Sequence, residues 1–247
     1  MRSLTRRRRI VSAATVAVLA SAALIAASAT GAQGTATTKA APAAPAVVSG
    51  EITLNGVKDV TNLLKGIPQA GAWLGAASAP IQLVVFADLQ CPFCKQFDTD
   101  VNPTLIRTYV RTGKVRLFFA GMHFVGNDST RGLKAAAAAA DQNKLWNVVS
   151  LLYINQGVEN KGWLSEKMVG AVARATPGLD VAKLDSARKG KAVAGRMATW
   201  EQLASSAGVN STPTFFVGTK GKLGPLAVTA LEVGQFTTAL DKLVNAK

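Results

Sequence analysis

The feature that most restricts the fold of this chain is a junction. The run Ile81-Gln82-Leu83-Val84-Val85-Phe86-Ala87 leads, after three further residues, into Cys91-Pro92-Phe93-Cys94. The run is β-branched, nearly all apolar and bounded by Pro80 and Asp88. It is too short for a helix and reads as a strand buried on both faces, at the centre of an α/β sheet. Pro92 suits the first position of a helix, where its missing N–H costs nothing. Phe93, Phe97, Val101, Leu105 and Tyr109 then recur at fours, and Pro103 is expected to kink or break that helix.

Around this junction the chain alternates its periods. Glu51 to Val60 reads as a short strand or hairpin turning at Asn55-Gly56, and Val115 to Phe119 as a second strand. From Asp128 to about Gly208 the apolar spacing is helical throughout, which predicts an inserted helical block. The chain returns to a strand at Thr214-Phe215-Phe216-Val217, turns at Gly218 to Gly221, and offers another strand near Leu226 to Val228. A last amphipathic helix uses Phe236, Leu240 and Leu243. The expected order is β-α-β, helices, β-β-α, in one domain over residues 50–247 with the insertion at about 128–208.

The two cysteines are the only ones among 247 residues, and that count decides what they can do. A structural zinc needs four ligands, and the chain has no third cysteine and a single histidine, His123. Haem attachment needs His after the second cysteine, where Lys95 stands. A purely structural bridge over two intervening residues closes a tiny loop and is a weak staple. The remaining reading is a dithiol that cycles. Cys91, at the start of a helix, gains from free backbone N–H groups and the helix dipole and is the nucleophile; Cys94, one turn on, attacks the mixed disulfide formed there. Pro92 fixes the first turn, and Phe93 brings no charge to the thiolate. No bound cofactor is required, because the disulfide carries the electrons.

The formal charge is +14, but five arginines lie in residues 1–29, and the other 218 residues carry +9. Those arginines precede the uncharged run Ile10 to Ala29, which ends in Ala27-Ser28-Ala29. Residues 1–29 therefore read as a signal peptide or a retained membrane anchor, with the rest exported to the periplasm or cell envelope. Residues 30–49, small residues with Pro42 and Pro45, read as a flexible spacer.

The residues also resemble a known group. Leu74-Gly75, Ala79-Pro80, Phe86 to Cys94 and Gly208-Val209-Asn210-Ser211-Thr212-Pro213-Thr214-Phe215 are similar to the DsbA-like thiol:disulfide oxidoreductases of the thioredoxin superfamily. The resemblance implies a thioredoxin-like fold with a helical insertion. It also implies a cis peptide at Thr212-Pro213 facing the cysteines and a backbone edge at Thr212 that pairs with substrate. Its implied partners are reduced or misoxidised exported proteins and a membrane quinone-linked protein that reoxidises the pair. One departure stands out: many relatives carry Glu six residues before the first cysteine, where this chain has Val85. Proton transfer from Cys94 then falls to another base or to water, and Asp88 is the nearest candidate, its alternative being a plain strand-end acid.

Lys183, Arg188, Lys189, Lys191 and Arg196 cluster without interleaved aromatics, so they read as a solvated helical face; contact with anionic envelope polymers or lipids is the alternative, and nucleic acid is not implied. Trp146, Trp163 and Trp200 read as core or groove-lining residues, and His123 as structural or site-lining. Three functions follow: an exported oxidase, a reductase or isomerase using the same exchange, and a non-catalytic client-binding domain. The short stretch before Gly71 leaves no room for a dimerisation module, so a monomer is expected.

Overall fold

In the computed structural model the described residues are 47–48 and 51–246. The export segment and nearly all of the expected spacer lie outside them. Val47–Val48 (β1), placed by sequence at the end of the spacer, instead pair antiparallel with Glu51–Ile52 (β2).

The Asn55-Gly56 turn does not close a hairpin. Gly56, at φ 73°, starts the helix Val57–Leu64 (α1), whose Val60 and Leu64 are buried. Val57, Val60 and Leu64 are spaced for one helix face, and that period overrides the turn signal. A small hairpin follows, Gln69–Ala70 (β3) and Trp73–Leu74 (β4), each strand too short to show a period.

The main sheet is built on Ile81–Asp88 (β5), buried at every position as its apolar run predicts. It lies parallel to Val115–Met122 (β6) and antiparallel to Thr214–Thr219 (β7). With Lys222–Pro225 (β8) the order is β3-β4-β6-β5-β7-β8. β8 precedes the predicted Leu226–Val228 because Thr219 pairs with Lys222 across a two-residue turn. Gly221, at φ 79°, supplies the positive angle that such a turn demands.

The helix after the cysteines does not stop at Pro103. It runs on as Pro92–Gln96 (α2), a wide-turned stretch Phe97–Val101, Asn102–Leu105 (α3) and a second wide stretch Ile106–Val110. The Asn102 amide reaches back five residues to the Phe97 carbonyl, so Pro103 opens a new set of turns and owes no donor. Phe97, Val101, Leu105 and Tyr109 are buried, whereas Phe93, first of the predicted stripe, is exposed.

The insertion is helical as expected: Asn127–Ala140 (α4), Leu145–Ile154 (α5), Glu166–Ala175 (α6), Val181–Ala187 (α7) and Lys191–Ser206 (α8). Ser165 and Asp180 cap α6 and α7 by accepting from the Met168 and Lys183 amides. Ala135 to Ala140 are all buried, and their small side chains let α4 pack closely against its neighbours. Trp146 and Trp200 stand edge-on to Phe119 at 6.2 and 5.9 Å, which makes them core; Trp163 is half-buried. In the basic cluster Arg188 pairs with Glu166 and Asp185, and Arg196 with Asp141, while Lys183, Lys189 and Lys191 face solvent. The last helix, Val233–Asn245 (α9), buries Phe236 and Leu240. Among the described residues no helix is long and apolar enough to cross a membrane.

Candidate active site

The cysteines sit where β5 ends and α2 begins. Cys91 has extended backbone angles, φ −68° and ψ 121°, and caps the helix that Pro92 opens. Its amide donates to the Asp88 carbonyl at 3.1 Å, and its carbonyl accepts from the Lys95 amide at 3.1 Å. A tight turn therefore delivers the sulfur to the carboxyl end of the central strand, the usual place for a site in an α/β sheet. Opposite lies the start of β7, where Thr212-Pro213 is a cis peptide. The Cys91 thiol donates to the Thr212 carbonyl at 3.3 Å, which brings together residues 121 positions apart.

Both cysteines are free and buried, so this is the dithiol form. Cys91 is 6% exposed and Cys94 1%. Their environments drive them apart. The Cys91 thiol is brought down to about 6, chiefly by the hydrogen bond from Cys94, with help from the Thr212 hydroxyl and the Cys94 and Phe93 amides; burial opposes this and loses. The Cys94 thiol is pushed well above the ordinary value by burial first, then by its bond to Cys91 and the Cys91 charge. One sulfur is an ionised nucleophile and the other a buried reserve thiol.

Asp88 is close by but fully engaged. Its Oδ1 accepts from the Gln90 amide at 2.9 Å and the Ser129 hydroxyl at 2.6 Å, and its Oδ2 from the Val125 amide at 2.9 Å. This is the geometry of an acid that shapes the strand-end turn. His123 follows β6 and pairs at 2.5 Å with Glu201 on α8, with no hydrogen bond to either cysteine. Phe93, between the two cysteines in the chain, is 61% exposed and leaves apolar surface beside the pair.

Several residues in the site were not singled out from sequence. Gln156, just past α5, donates to the Leu89 carbonyl at 2.9 Å and the Cys91 carbonyl at 3.1 Å, tying the insertion to the cysteine turn. Gln90 bonds Ser129 and exchanges two bonds with Asn160. The fully buried Tyr153 donates to the Asp88 carbonyl at 3.1 Å. Asp98 is buried between Asn102 and Ser150, whose side chains each donate to it at 3.2 Å. None of these left a sequence signal, because each is placed by a contact with residues distant in the chain. Among the described residues no group of three or more His, Cys, Asp or Glu is placed to hold a metal.

Comparison with known proteins shows what the chain is similar to. A family profile described as thioredoxin matches residues 69–233. The chain is 29% identical over 147 residues to the probable disulfide bond formation protein D of Bacillus cereus, covering 58% of this chain and 68% of that protein. The oxidised BdbD structure from Bacillus subtilis superposes with TM-score 0.62 at 20% identity, over 72% of this chain and 97% of that one. The α-DsbA1 structure of Wolbachia pipientis gives 0.61 at 19% identity, over 74% and 93%.

Proposed function

The chain belongs to the thioredoxin family, and from that premise we propose that it is an exported thiol:disulfide oxidoreductase that forms disulfides in other exported proteins through Cys91 and Cys94. The observation that carries this reading is geometric: Cys91 caps α2 with its sulfur 3.3 Å from the Thr212 carbonyl, and Cys94 lies one turn on; the lowering of Cys91 to about 6 and the raising of the buried Cys94 are in keeping with it.

In the oxidised protein a client thiolate attacks the Cys91 sulfur, the Cys91–Cys94 bond breaks, and Cys94 leaves and takes up a proton. A second client thiolate then attacks the client sulfur of the mixed disulfide, and Cys91 is expelled as a thiolate. The client gains a disulfide and the protein keeps two electrons as a dithiol. A thiol that ionises near pH 6 is a good leaving group, and its stability as a thiolate favours the reduced protein, which makes the disulfide form oxidising. Thr212 and Pro213 form the wall opposite Cys91, and an extended client segment running along the Thr212 backbone is the binding mode in keeping with that wall.

The address read in residues 1–29 supports work outside the cytoplasm, in the periplasm or cell envelope, secreted or tethered. The resemblance to DsbA-like proteins supports a membrane quinone-linked partner that restores the disulfide. The test is direct: the purified disulfide form, mixed with a reduced unfolded protein, oxidises it in a stoichiometric burst, and the pair's potential lies above the roughly −270 mV of thioredoxin. A lower potential, with efficient reduction of disulfides by the dithiol form, overturns the direction in favour of a reductase. Equal activity in Cys91→Ser overturns the chemistry altogether and leaves a client-binding domain.

A further inference from the structure

An open cleft of about 940 Å³ lies in the helical insertion, walled by α4, α6 and the end of α7. None of Cys91, Cys94, Thr212 and Pro213 lines it, so it takes no part in the exchange proposed above. Arg131 and Lys134 stand three apart on α4, and Glu166, Gly170 and Arg174 four apart on α6, so each helix turns one face toward the cleft. Arg188 and Lys189, just past α7, close it together with Asp185.

Five of the lining side chains are cations and two are acids. The acids are spent on two arginines. Glu166 accepts from Arg188 at 2.7 and 2.8 Å and lies 3.4 Å from Arg131, and Asp185 accepts from Arg188 at 3.2 Å. Arg131 is also held by Asp128 at 2.7 Å. Arg188 needs no ligand to explain it: its side chain is 12% exposed, and a cation is favoured at the end of a helix. Lys134, Arg174 and Lys189 have no such account. Among the described residues none of them has an acidic partner, and all three are exposed. Arg174 folds back along its own helix, for a Cβ at Gly170 would lie 3.2 Å from its Nη1; the bare backbone there leaves room for the guanidinium.

Cations that converge on one cleft repel each other and focus a positive field into it, and a multivalent anion relieves both effects. The walls carry no large apolar side chain, so nothing in the cleft suits an acyl chain or an aromatic ring. Lysines beside an arginine suit phosphate, the fork taking two oxygens and the ammonium groups acting as point charges. We propose that the cleft binds a hydrated polymer with successive phosphate groups, held by Lys134, Arg174 and Lys189. The basic cluster of residues 183–196 is thereby divided. Arg196 is engaged by Asp141 and the Ala137 carbonyl, Lys183 and Lys191 lie outside the cleft, and Lys189 joins cations from α4 and α6.

The test uses the full chain with long-chain inorganic polyphosphate as the probe. Affinity is measured over a range of salt for wild type, for Lys134→Ala/Arg174→Ala/Lys189→Ala, and for Lys183→Ala/Lys191→Ala/Lys220→Ala, which loses the same charge outside the cleft. The cleft variant is expected to bind about tenfold more weakly and to lose about 2 from the slope of log affinity against log salt, whereas the control stays within about twofold of wild type. In wild type alone, bound polyphosphate is expected to shield Lys134 and Lys189 from acetylation and to leave Lys183, Lys191 and Lys220 reactive, a readout that needs no variant to fold. Equal weakening in the two variants, or equal shielding of all five lysines, reduces the effect to net charge and overturns the proposal. Polyglutamate that competes as well as polyphosphate overturns the choice of phosphate. Displacement of the polymer by orthophosphate, or tighter binding to phosphatidylglycerol vesicles than to polyphosphate, overturns the polymer in favour of a single phosphate or a lipid headgroup. None of these outcomes bears on the chemistry of the cysteines, which the exchange assay decides separately.

Discussion

A cysteine that ionises near pH 6 is a measurable object in the reduced protein. Thiolate absorbance should titrate with a midpoint of about 6 and vanish in Cys91→Ser. In Thr212→Val the midpoint should rise, because the hydroxyl that stabilises the thiolate is gone while the carbonyl remains. Asp98 carries the opposite sign. Its folded pKa, about 6, lies above the ordinary 3.8, so the stability it contributes is present below pH 4 and lost as pH rises through 6. Asp98→Asn should therefore stabilise the fold at pH 8, by on the order of 2–3 kcal/mol, and show no such advantage at pH 4; chemical denaturation at the two pH values checks this. The cysteines could be read from residue type and spacing, and the resemblance to DsbA-like proteins added Thr212 and Pro213. Asp98 could not, since its burial depends on Ser150, 52 positions later, and no local pattern announces that contact. Asp88 was visible as a candidate, yet its three donors come partly from residues 125 and 129, which only the fold brings near.

The elements that hold the site are more exacting than their sequence periods suggest. Phe97, one turn past Cys94, packs against Phe215 at 4.7 Å and Phe236 at 5.3 Å, joining the active-site helix to β7 and α9. Phe97→Ala should cost about 3–5 kcal/mol in urea denaturation, with exchange slowed as the cysteine turn loosens from the Thr212 wall. Gly75, just after β4, sits at φ 108°, and a Cβ there would meet Val110 Cγ1 at 2.9 Å and the Val115 carbonyl at 3.1 Å. Gly75→Ala should destabilise by roughly 1–3 kcal/mol and lower the melting temperature without moving the Cys91 titration. Long apolar runs such as β5 announced themselves. The two-residue strands β3 and β4 did not, being shorter than any period, and the wide turns before Pro103 arise from a cooperative adjustment of backbone bonds that residue spacing does not encode.

For the whole molecule, the redox state and the fold are thermodynamically one system. The lowered Cys91 pKa gives the reduced protein stability that is present above the ordinary thiol value near 9 and is lost as pH falls through about 6. The disulfide form has no such group. Melting temperatures of the two forms should thus move relative to each other between pH 6 and 9, the reduced form gaining as pH rises, and Cys91→Ser should abolish the trend. The chain order of the longer strands and the helical insertion were legible because period and length separate strands from helices over many residues. The way the insertion reaches back through Gln156 to the cysteine turn was not, since it depends on one amide meeting two carbonyls. The exposure of the pair carries a last consequence. Cys91 lies 6% exposed beneath a rim that includes Phe93 at 61%. On the proposed exchange a client sulfur has to reach a nearly covered thiol, so reduced unfolded chains are expected to be oxidised faster than folded proteins that carry surface thiols.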